Sequence, residues 1–259
     1  MSGGGDAPPP GWRRALDVAA TVAVVLAVWQ GVVWATGVPR FILPSPARVG
    51  AAIVESRGLL LHHGLITLSE VLAGLVLGAA LGAATAVQLA LSATARRILL
   101  PVLVFSQAVP VFALAPVLTL WLGYGIGSKI VMTVLIIYFP VASAFYDGLR
   151  RTDPALLDLA AVMGARPLAV LLRIRAPAAL PDFASGLRLA AVYAPIGAVI
   201  GEWVGASGGL GYLMLMANGR ARTDLMFAAL FALALGAVAL YALLGVLARR
   251  LERRARGER

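Results

Sequence analysis

The sequence DPALLDLAAVMG occupies residues 153–164, between two long apolar runs of the chain. Asp153 followed by Pro154 is typical of a helix start, because aspartate accepts hydrogen bonds from free backbone N–H groups and proline suits the first helical position. Leucine, alanine and methionine then recur at helical spacing, and Gly164 is typical of a residue that ends a helix. The stretch predicts a short amphipathic helix that lies either on a bilayer or in the groove of a partner protein.

The chain as a whole is too apolar for a water-soluble protein. Of its 259 residues, 61% are hydrophobic and 13% are charged, and the mean hydropathy is +0.90. A soluble domain has about a quarter of its residues charged, so lipid must be the solvent for most of this chain. The sequence contains no cysteine, which excludes disulfides, thiolate metal sites and a cysteine nucleophile.

Six apolar runs are long enough to cross about 30 Å of hydrocarbon as helices. They are continuously apolar rather than alternating, which excludes membrane-spanning strands. We therefore predict an all-α membrane protein with six transmembrane helices, at residues 16–36, 64–91, 98–122, 126–149, 180–204 and 224–247.

The distribution of basic residues predicts the orientation of these spans. The net charge is +10, and most arginines flank the runs at the ends that face the cytoplasm if the chain starts inside. The positive-inside rule then places both termini in the cytoplasm. The same placement argues against nucleic acid as a partner, because the charge does not form one soluble basic face.

The chain divides into four predicted regions. Residues 1–14 are polar and rich in glycine and proline, which predicts a disordered cytoplasmic tail. Residues 15–36 form a first transmembrane helix that is too long for a signal-peptide core and is expected to stay uncleaved. Residues 60–248 form the main transmembrane domain, and residues 249–259 form a basic cytoplasmic tail.

Glycines recur at every fourth residue in the second and fifth runs. This spacing places them on one face of each helix and lets another backbone approach closely, and we favour packing inside one subunit over a dimer contact. Prolines interrupt the third, fourth and fifth runs, where they predict either packing kinks or helices that line a path. The glycines are Gly74, Gly78, Gly82, Gly197, Gly201 and Gly205, and the prolines are Pro101, Pro110, Pro116, Pro140 and Pro195.

The sequence offers no enzymatic chemistry. The segment 125–129, GIGSK, has the wrong spacing for a phosphate-binding loop. His62 and His63 are neighbours, whose side chains diverge on a helix, so we expect solvated surface histidines rather than metal ligands. We predict a chain that is not an enzyme and binds no cofactor itself. Glu70 and Glu202 lie within apolar runs, and such carboxylates are functional candidates that support a proton-coupled carrier as an alternative.

The segment that contains residues 153–164 resembles the E-A-A-x(3)-G-x(9)-I-x-L-P loop of binding-protein-dependent ABC transporter permeases. The matching positions are Asp158, Leu159, Ala160, Gly164, Ile174 and Pro177. This sequence departs from the pattern in having aspartate for glutamate at 158, leucine for alanine at 159 and alanine for leucine at 176.

The resemblance extends over residues 40–250. The segment LPSP at residues 43–46 is similar to the segment after the first span in the nitrate/sulfonate/taurine permease family. Three further stretches, at residues 110–116 with 121–125, at 194–205 and at 223–228, most resemble permeases for pyrimidine precursors of thiamine.

This resemblance implies the type I ABC importer permease fold, with a coupling loop at residues 150–180 whose six matching residues contact an ATPase. It implies a homodimer in the bacterial cytoplasmic membrane, two separate ATP-binding subunits that bind ATP and Mg, and a periplasmic or lipid-anchored solute-binding protein. The expected solute is a thiamine-precursor pyrimidine such as hydroxymethylpyrimidine, with sulfonate, taurine or nitrate as alternatives. A proton-coupled carrier and a non-transporting membrane scaffold are alternatives from other classes.

Four residues near the predicted outer end of the spans are expected to line the solute path or to contact the binding protein. They are Trp121, Tyr124, Glu202 and Trp203. Aromatic residues at this depth are also typical anchors at the membrane–water interface.

Overall fold

The computed structural model describes residues 11–255, and this range folds into twelve α-helices with no strand. The helices are α1 (Gly11–Thr36), α2 (Pro46–Glu55), α3 (Arg57–Leu91), α4 (Ala93–Ala108), α5 (Val111–Leu122), α6 (Ile126–Arg150), α7 (Pro154–Val162), α8 (Pro167–Val170), α9 (Ala176–Ala178), α10 (Leu180–Gly205), α11 (Leu210–Gly219) and α12 (Thr223–Ala255). A π turn at Leu171–Arg175 joins α8 to α9.

Five of these helices, α1, α3, α6, α10 and α12, are long and apolar enough to cross a membrane. The prediction of an all-α membrane protein is confirmed. The predicted span at residues 98–122 consists of two helices, α4 and α5, which meet at 100° and count as a sixth span as a bent pair. The break follows from Pro110, which lacks an N–H and pushes Val109 out of helical geometry, to a ψ of 117°.

Helical structure extends into both predicted tails. Residues 11–14, predicted to be disordered, form the first turn of α1. Helix α12 continues to Ala255, because arginine and leucine are good helix formers and nothing in the segment stops the helix. Residues 1–10 and 256–259 carry the remainder of the tail predictions and lie outside the described residues.

Helix α6 lies at the centre of the bundle, between α3 and α10, and both glycine stripes pack against it. A Cβ added at Gly74 of α3 would lie 2.5 Å from the Cβ of Thr133, and one added at Gly197 of α10 would lie 2.7 Å from the Thr133 Cα. Further along, a Cβ at Gly201 would lie 2.9 Å from the Cγ of Lys129. The predicted packing role of the stripes inside one subunit is confirmed.

The short helices lie at the two ends of the bundle. Helices α7, α8 and α9 lie where α6 ends and α10 begins, an end that we call the α7 face. Helices α2 and α11 lie where α10 ends and α12 begins, an end that we call the α11 face. On this side Trp29 of α1 stacks on Phe227 of α12 with ring centroids 5.7 Å apart.

An ion pair joins α10 to α12 near the α7 face. The Nη2 of Arg188 lies 2.7 Å from the Oε1 of Glu252, and both side chains are about 30% exposed. The position of Arg188 inside the fifth apolar run is therefore matched by a carboxylate from the last helix, which is the usual arrangement for a cation at membrane depth.

Candidate functional site

Helix α7 has the ends that its sequence predicted. The Asp153 carboxylate accepts a hydrogen bond from the Ala155 N–H at 2.9 Å, which caps the first turn. At the other end Gly164 has a φ of +68°, and the Ala165 N–H donates to the Ala160 carbonyl at 2.9 Å. This pattern is the Schellman motif, and glycine suits it because a side chain would strain this backbone conformation.

The residues of α7 that match the permease loop differ in solvent exposure. Ala160 is only 6% exposed and rests on the bundle, whereas Asp158 and Leu159 point away from it. Val162 and Met163 are 87% and 76% exposed. Exposed apolar side chains grouped on one short helix indicate a surface that another molecule covers.

The second half of the predicted coupling loop at 150–180 is helical over residues 167–178. Ile174 and Pro177 are half-buried in these turns. Pro177 has no N–H, so it cannot donate to the carbonyl four residues before it. Just before it, the Ala176 N–H donates to the Leu171 carbonyl, five residues back, which is the bond pattern of a π turn. The segment therefore runs almost without interruption into α10.

A buried carboxylate organises the opposite end of the bundle. Glu202 of α10 is 1% exposed, and its Oε1 accepts a hydrogen bond from the Thr67 hydroxyl at 2.6 Å. Its Oε2 accepts from the N–H of Gly211 at 2.5 Å and of Tyr212 at 3.3 Å. Glu202 thus satisfies free N–H groups at the start of α11, which otherwise have no partner inside the helix.

Helix α3 completes the same cap. The Thr67 hydroxyl oxygen accepts from the Leu210 N–H at 2.8 Å, and the Nδ1 of His63 accepts from the Gly209 N–H at 3.0 Å. Gly209 has a φ of +104°, and a Cβ there would lie 2.2 Å from the Glu202 carboxyl carbon. Four consecutive backbone N–H groups, from Gly209 to Tyr212, are therefore bound by side chains of α3 and α10.

His63 differs from its prediction. His62 is exposed, but His63 is 7% exposed and buried against α11. Its burial is possible because its ring nitrogen replaces water as the acceptor for the Gly209 N–H. A solvated surface histidine is therefore the wrong interpretation for His63.

Lys129 is a buried cation at this end of the bundle that was not among the predicted site residues. It is 1% exposed, and its ammonium donates to the carbonyl of Tyr124, to that of Gly125 at 2.9 Å and to that of Gly205 at 2.6 Å. The lysine of the segment 125–129 therefore binds backbone carbonyls of its own chain. Its place one turn inside an apolar run was the signal that pointed to a buried cation.

Glu70 lies in the same buried region, close enough to Glu202 and Lys129 for their charges to interact. It is 3% exposed, and its Oε2 has no hydrogen-bond partner among the described residues. Two carboxyl groups and one ammonium thus share the interior near the α11 face.

The four residues predicted to line the path or to contact a binding protein fall into two groups. Trp121 and Tyr124 are 75% and 76% exposed, and Trp203 is 46% exposed. Glu202, adjacent to Trp203 in sequence, is buried and bonded inside the chain as described above. Trp121 and Trp203 lie in the last turns of α5 and α10, and Tyr124 follows α5, so all three are at the α11 face.

Comparison with known proteins places these features in a family. Residues 74–257 match the family described as binding-protein-dependent transport system inner membrane component. The chain is 53% identical to a probable ABC transporter permease protein of Haemophilus influenzae, over 88% of this chain and 93% of that one. A chain of the MetNI methionine ABC transporter in an inward-facing conformation aligns with a TM-score of 0.68 and 19% identity, over 76% of this chain and 98% of that one.

Relatives with named solutes are also similar. The riboflavin transport system permease RibX of Chloroflexus aurantiacus is 39% identical, over 92% of this chain and 90% of that one. The formylaminopyrimidine transport permease ThiX of Halalkalibacterium halodurans is 37% identical, over 77% and 80%. The putative aliphatic sulfonates permease SsuC of Bacillus subtilis is 31% identical, over 84% and 79%. The chain therefore belongs to the binding-protein-dependent transport system inner membrane components and is the permease subunit of an ABC importer, with the type I importer fold.

Proposed function

We propose that two copies of this permease form the solute path of an importer in the bacterial cytoplasmic membrane, with the α7 face and both termini on the cytoplasmic side. The observation that carries this proposal is the exposed apolar surface of α7, capped at both ends and held on the bundle by Ala160. A rigid helix that presents uncovered apolar side chains is suited to a groove in a partner protein.

The partner in this proposal is a separate ATP-binding subunit that binds ATP and Mg, one for each permease copy. Asp158 and Leu159 are exposed on α7 and would contact that subunit. Ile174 and Pro177 lie in helical turns that lead into α10, and α10 packs closely on α6 through its glycines. Movement of the ATPase subunits would therefore reach the central helices as a rigid-body displacement.

A solute-binding protein would dock at the opposite end of the bundle. The exposed Trp121, Tyr124 and Trp203 at the α11 face supply large, rigid side chains of the kind enriched at protein interfaces. Glu202 and Lys129 would hold the surface on which these aromatic residues sit, rather than contact the binding protein themselves.

The proposed solute is a thiamine-precursor pyrimidine or a related heteroaromatic compound. The support is the higher identity to the permeases named for formylaminopyrimidine and riboflavin, at 37% and 39%, than to the one named for aliphatic sulfonates, at 31%. The second candidate is a sulfonate, taurine or nitrate, and its support is the 31% identity to the permease named for aliphatic sulfonates.

Competition in cells tests the solute. Cells that contain the complete importer should accumulate labelled hydroxymethylpyrimidine, and unlabelled hydroxymethylpyrimidine should suppress this uptake. Taurine and pentanesulfonate in excess should leave the uptake unchanged. Uptake of labelled taurine or pentanesulfonate, but not of the pyrimidine, would favour the second candidate.

A further inference from the structure

A cavity of about 590 Å³ opens beside the bend between α4 and α5, within the size range of small-molecule sites. Its walls are the residues on both sides of the bend, the second half of α6, and one side of α10. Along α6 it extends from Ile136 to Asp147, eleven residues or about 16 Å of helix rise. It therefore reaches from the middle of this span almost to its end on the α7 face.

Two prolines leave backbone carbonyls without helical donors at this cavity. Pro110 at the bend cannot donate to the carbonyl of Ser106, and Pro140 in α6 cannot donate to that of Ile136. Both Ser106 and Ile136 line the cavity. Carbonyls freed by proline at membrane depth are tolerated in several settings, one of which is a cavity that holds water or a polar ligand, and the position of these two residues on the cavity wall fits that setting.

The side chains that line the cavity combine polar groups with aromatic rings. Gln107, Ser143 and Asp147 contribute amide, hydroxyl and carboxylate groups, and Phe139 and Tyr193 contribute rings. Among the described residues, no side chain of the chain itself hydrogen-bonds to Gln107, Ser143 or Asp147. Polar groups of this kind in an otherwise apolar wall are the usual means of orienting a small ligand.

The charge of the lining discriminates between classes of solute. Asp147 is the one charged side chain among the described residues that line the cavity, and it is acidic. A sulfonate or nitrate there would meet a like charge and no cation to replace its hydration, which disfavours its binding. A ring that carries an amino group would instead donate to the carboxylate in a charge-assisted hydrogen bond.

We propose that this cavity binds the solute within the path, and that it accepts neutral or cationic heteroaromatic compounds with N–H donors while excluding sulfonates and nitrate. In this assignment Asp147 accepts from an amino group, Gln107 and Ser143 bind ring nitrogens or hydroxyls, and Phe139 and Tyr193 contact the ring faces or edges. The assignment rests on the proposed solute path and adds the residues and the chemical class to it.

Equilibrium binding to the full-length permease in lipid nanodiscs tests the assignment. The probes are labelled hydroxymethylpyrimidine, riboflavin, taurine and pentanesulfonate. Saturable binding is expected for at least one of the two ring compounds and for neither sulfonate. Asp147→Asn should weaken binding of the ring compound at least about tenfold, the effect of losing a hydrogen bond to a charged group. Ser143→Ala should weaken it about fivefold.

Matched controls separate the cavity from general effects on the protein. Asp17→Asn makes the same charge change on the exposed face of α1, and Ser185→Ala removes an exposed hydroxyl of α10 outside the cavity. Both should bind the ring compound as the unmodified chain does. Stronger binding of taurine or pentanesulfonate, no saturable binding of either ring compound, or unchanged affinity in Asp147→Asn would each overturn the assignment.

Uptake by the complete importer distinguishes failure of the cavity assignment from failure of the proposed importer function. ATP-dependent uptake of a ring compound that persists unchanged in Asp147→Asn and Ser143→Ala would overturn the cavity and leave the importer function standing. Absence of ATP-dependent uptake of any of the four probes by the unmodified importer would overturn the proposed function itself.

Discussion

The hydroxyl of Thr67 donates to the carboxylate of Glu202 at 2.6 Å, across 135 residues of sequence, and accepts from the Leu210 N–H at 2.8 Å. One side chain of α3 therefore joins the end of α10 to the start of α11. The bond lies in the interior, where a polar group that loses its partner bears the full cost of desolvation.

Replacement of Thr67 by valine should destabilise the α11 face. The change keeps the shape of the side chain but leaves the Leu210 N–H and one Glu202 oxygen without a partner, at a cost of about 1–3 kcal/mol for each buried group. Thermal unfolding in nanodiscs should show a lower midpoint than for the unmodified chain. Thr36→Val is the matched control, because the Thr36 hydroxyl is exposed and bonds only its own helix. Equal midpoints for the two variants would contradict the role assigned to Thr67.

Lys129 is the single lysine among the 22 basic residues of the chain. An ammonium has three N–H donors, and here each has a carbonyl acceptor, on Tyr124, Gly125 and Gly205. The planar guanidinium of arginine does not fit three acceptors grouped around one point. The use of lysine at this position follows from that geometry.

The rate of amine labelling at Lys129 should report how closely the ends of α5 and α10 pack, because the Lys129 ammonium is buried between the residues that follow α5 and Gly205 of α10. A water-soluble amine reagent should modify Lys129 at least about tenfold more slowly in the folded permease than in the denatured one, because the group is buried and fully hydrogen-bonded. Gly205→Ala should accelerate labelling, since its Cβ would lie 2.6 Å from Thr119 and force the helices apart. Gly219→Ala has nothing within 4 Å and serves as the control. Fast labelling of the folded, unmodified chain would contradict the buried position, and mass spectrometry measures both rates.

The glycine stripes should tolerate no side chain where they face the α6 backbone. Gly197→Ala places a Cβ 2.7 Å from the Thr133 Cα and should lower the free energy of unfolding by about 1–3 kcal/mol, as other overpacked cores do. Gly236→Ala, on α12 with open space around it, should be neutral or slightly stabilising, because alanine favours helix over glycine. Urea titration of the two variants in the same lipid compares them directly. A neutral Gly197→Ala would show that α6 and α10 are not in close contact.

The exposed surface of α7 should be required for association with the ATPase and not for folding. Asp158→Lys reverses the charge at the proposed contact, and Gly164→Pro imposes a φ near −65° where the chain has +68°. Both should reduce copurification of the ATPase at least about tenfold while the permease still inserts and elutes as a single species. Asp17→Lys makes the same charge reversal on α1 and should leave copurification unchanged. Normal ATPase association in Asp158→Lys and Gly164→Pro would refute docking through α7.

The features predicted correctly from the sequence depend on neighbouring residues. Asp153, Pro154 and Gly164 act within one or two turns, so their pattern was enough to define the two ends of α7. The glycine stripes were predictable for the same reason, because their spacing within one helix fixes the face that they share. Length and hydropathy were enough for the spans, since a bilayer requires both.

The features that were missed depend on the geometry between elements. Pro110 was expected to interrupt the third run, but the size of the bend, 100°, was not predictable, because hydropathy is insensitive to direction and the run remains apolar throughout. The partners of His63 and Thr67 lie 146 and 143 residues away at the start of α11. No local pattern brings those segments together, which is why His63 was interpreted as a solvated surface residue.

The central claim is that this permease transports solute only when a separate ATPase drives it. The direct measurement is uptake of labelled hydroxymethylpyrimidine into proteoliposomes that contain the permease and binding protein, with and without the ATP-binding subunit. We predict uptake with the ATPase and ATP, and background uptake when the ATPase is omitted or ADP replaces ATP. Uptake by the permease without the ATPase, driven by a proton gradient alone, would contradict the account.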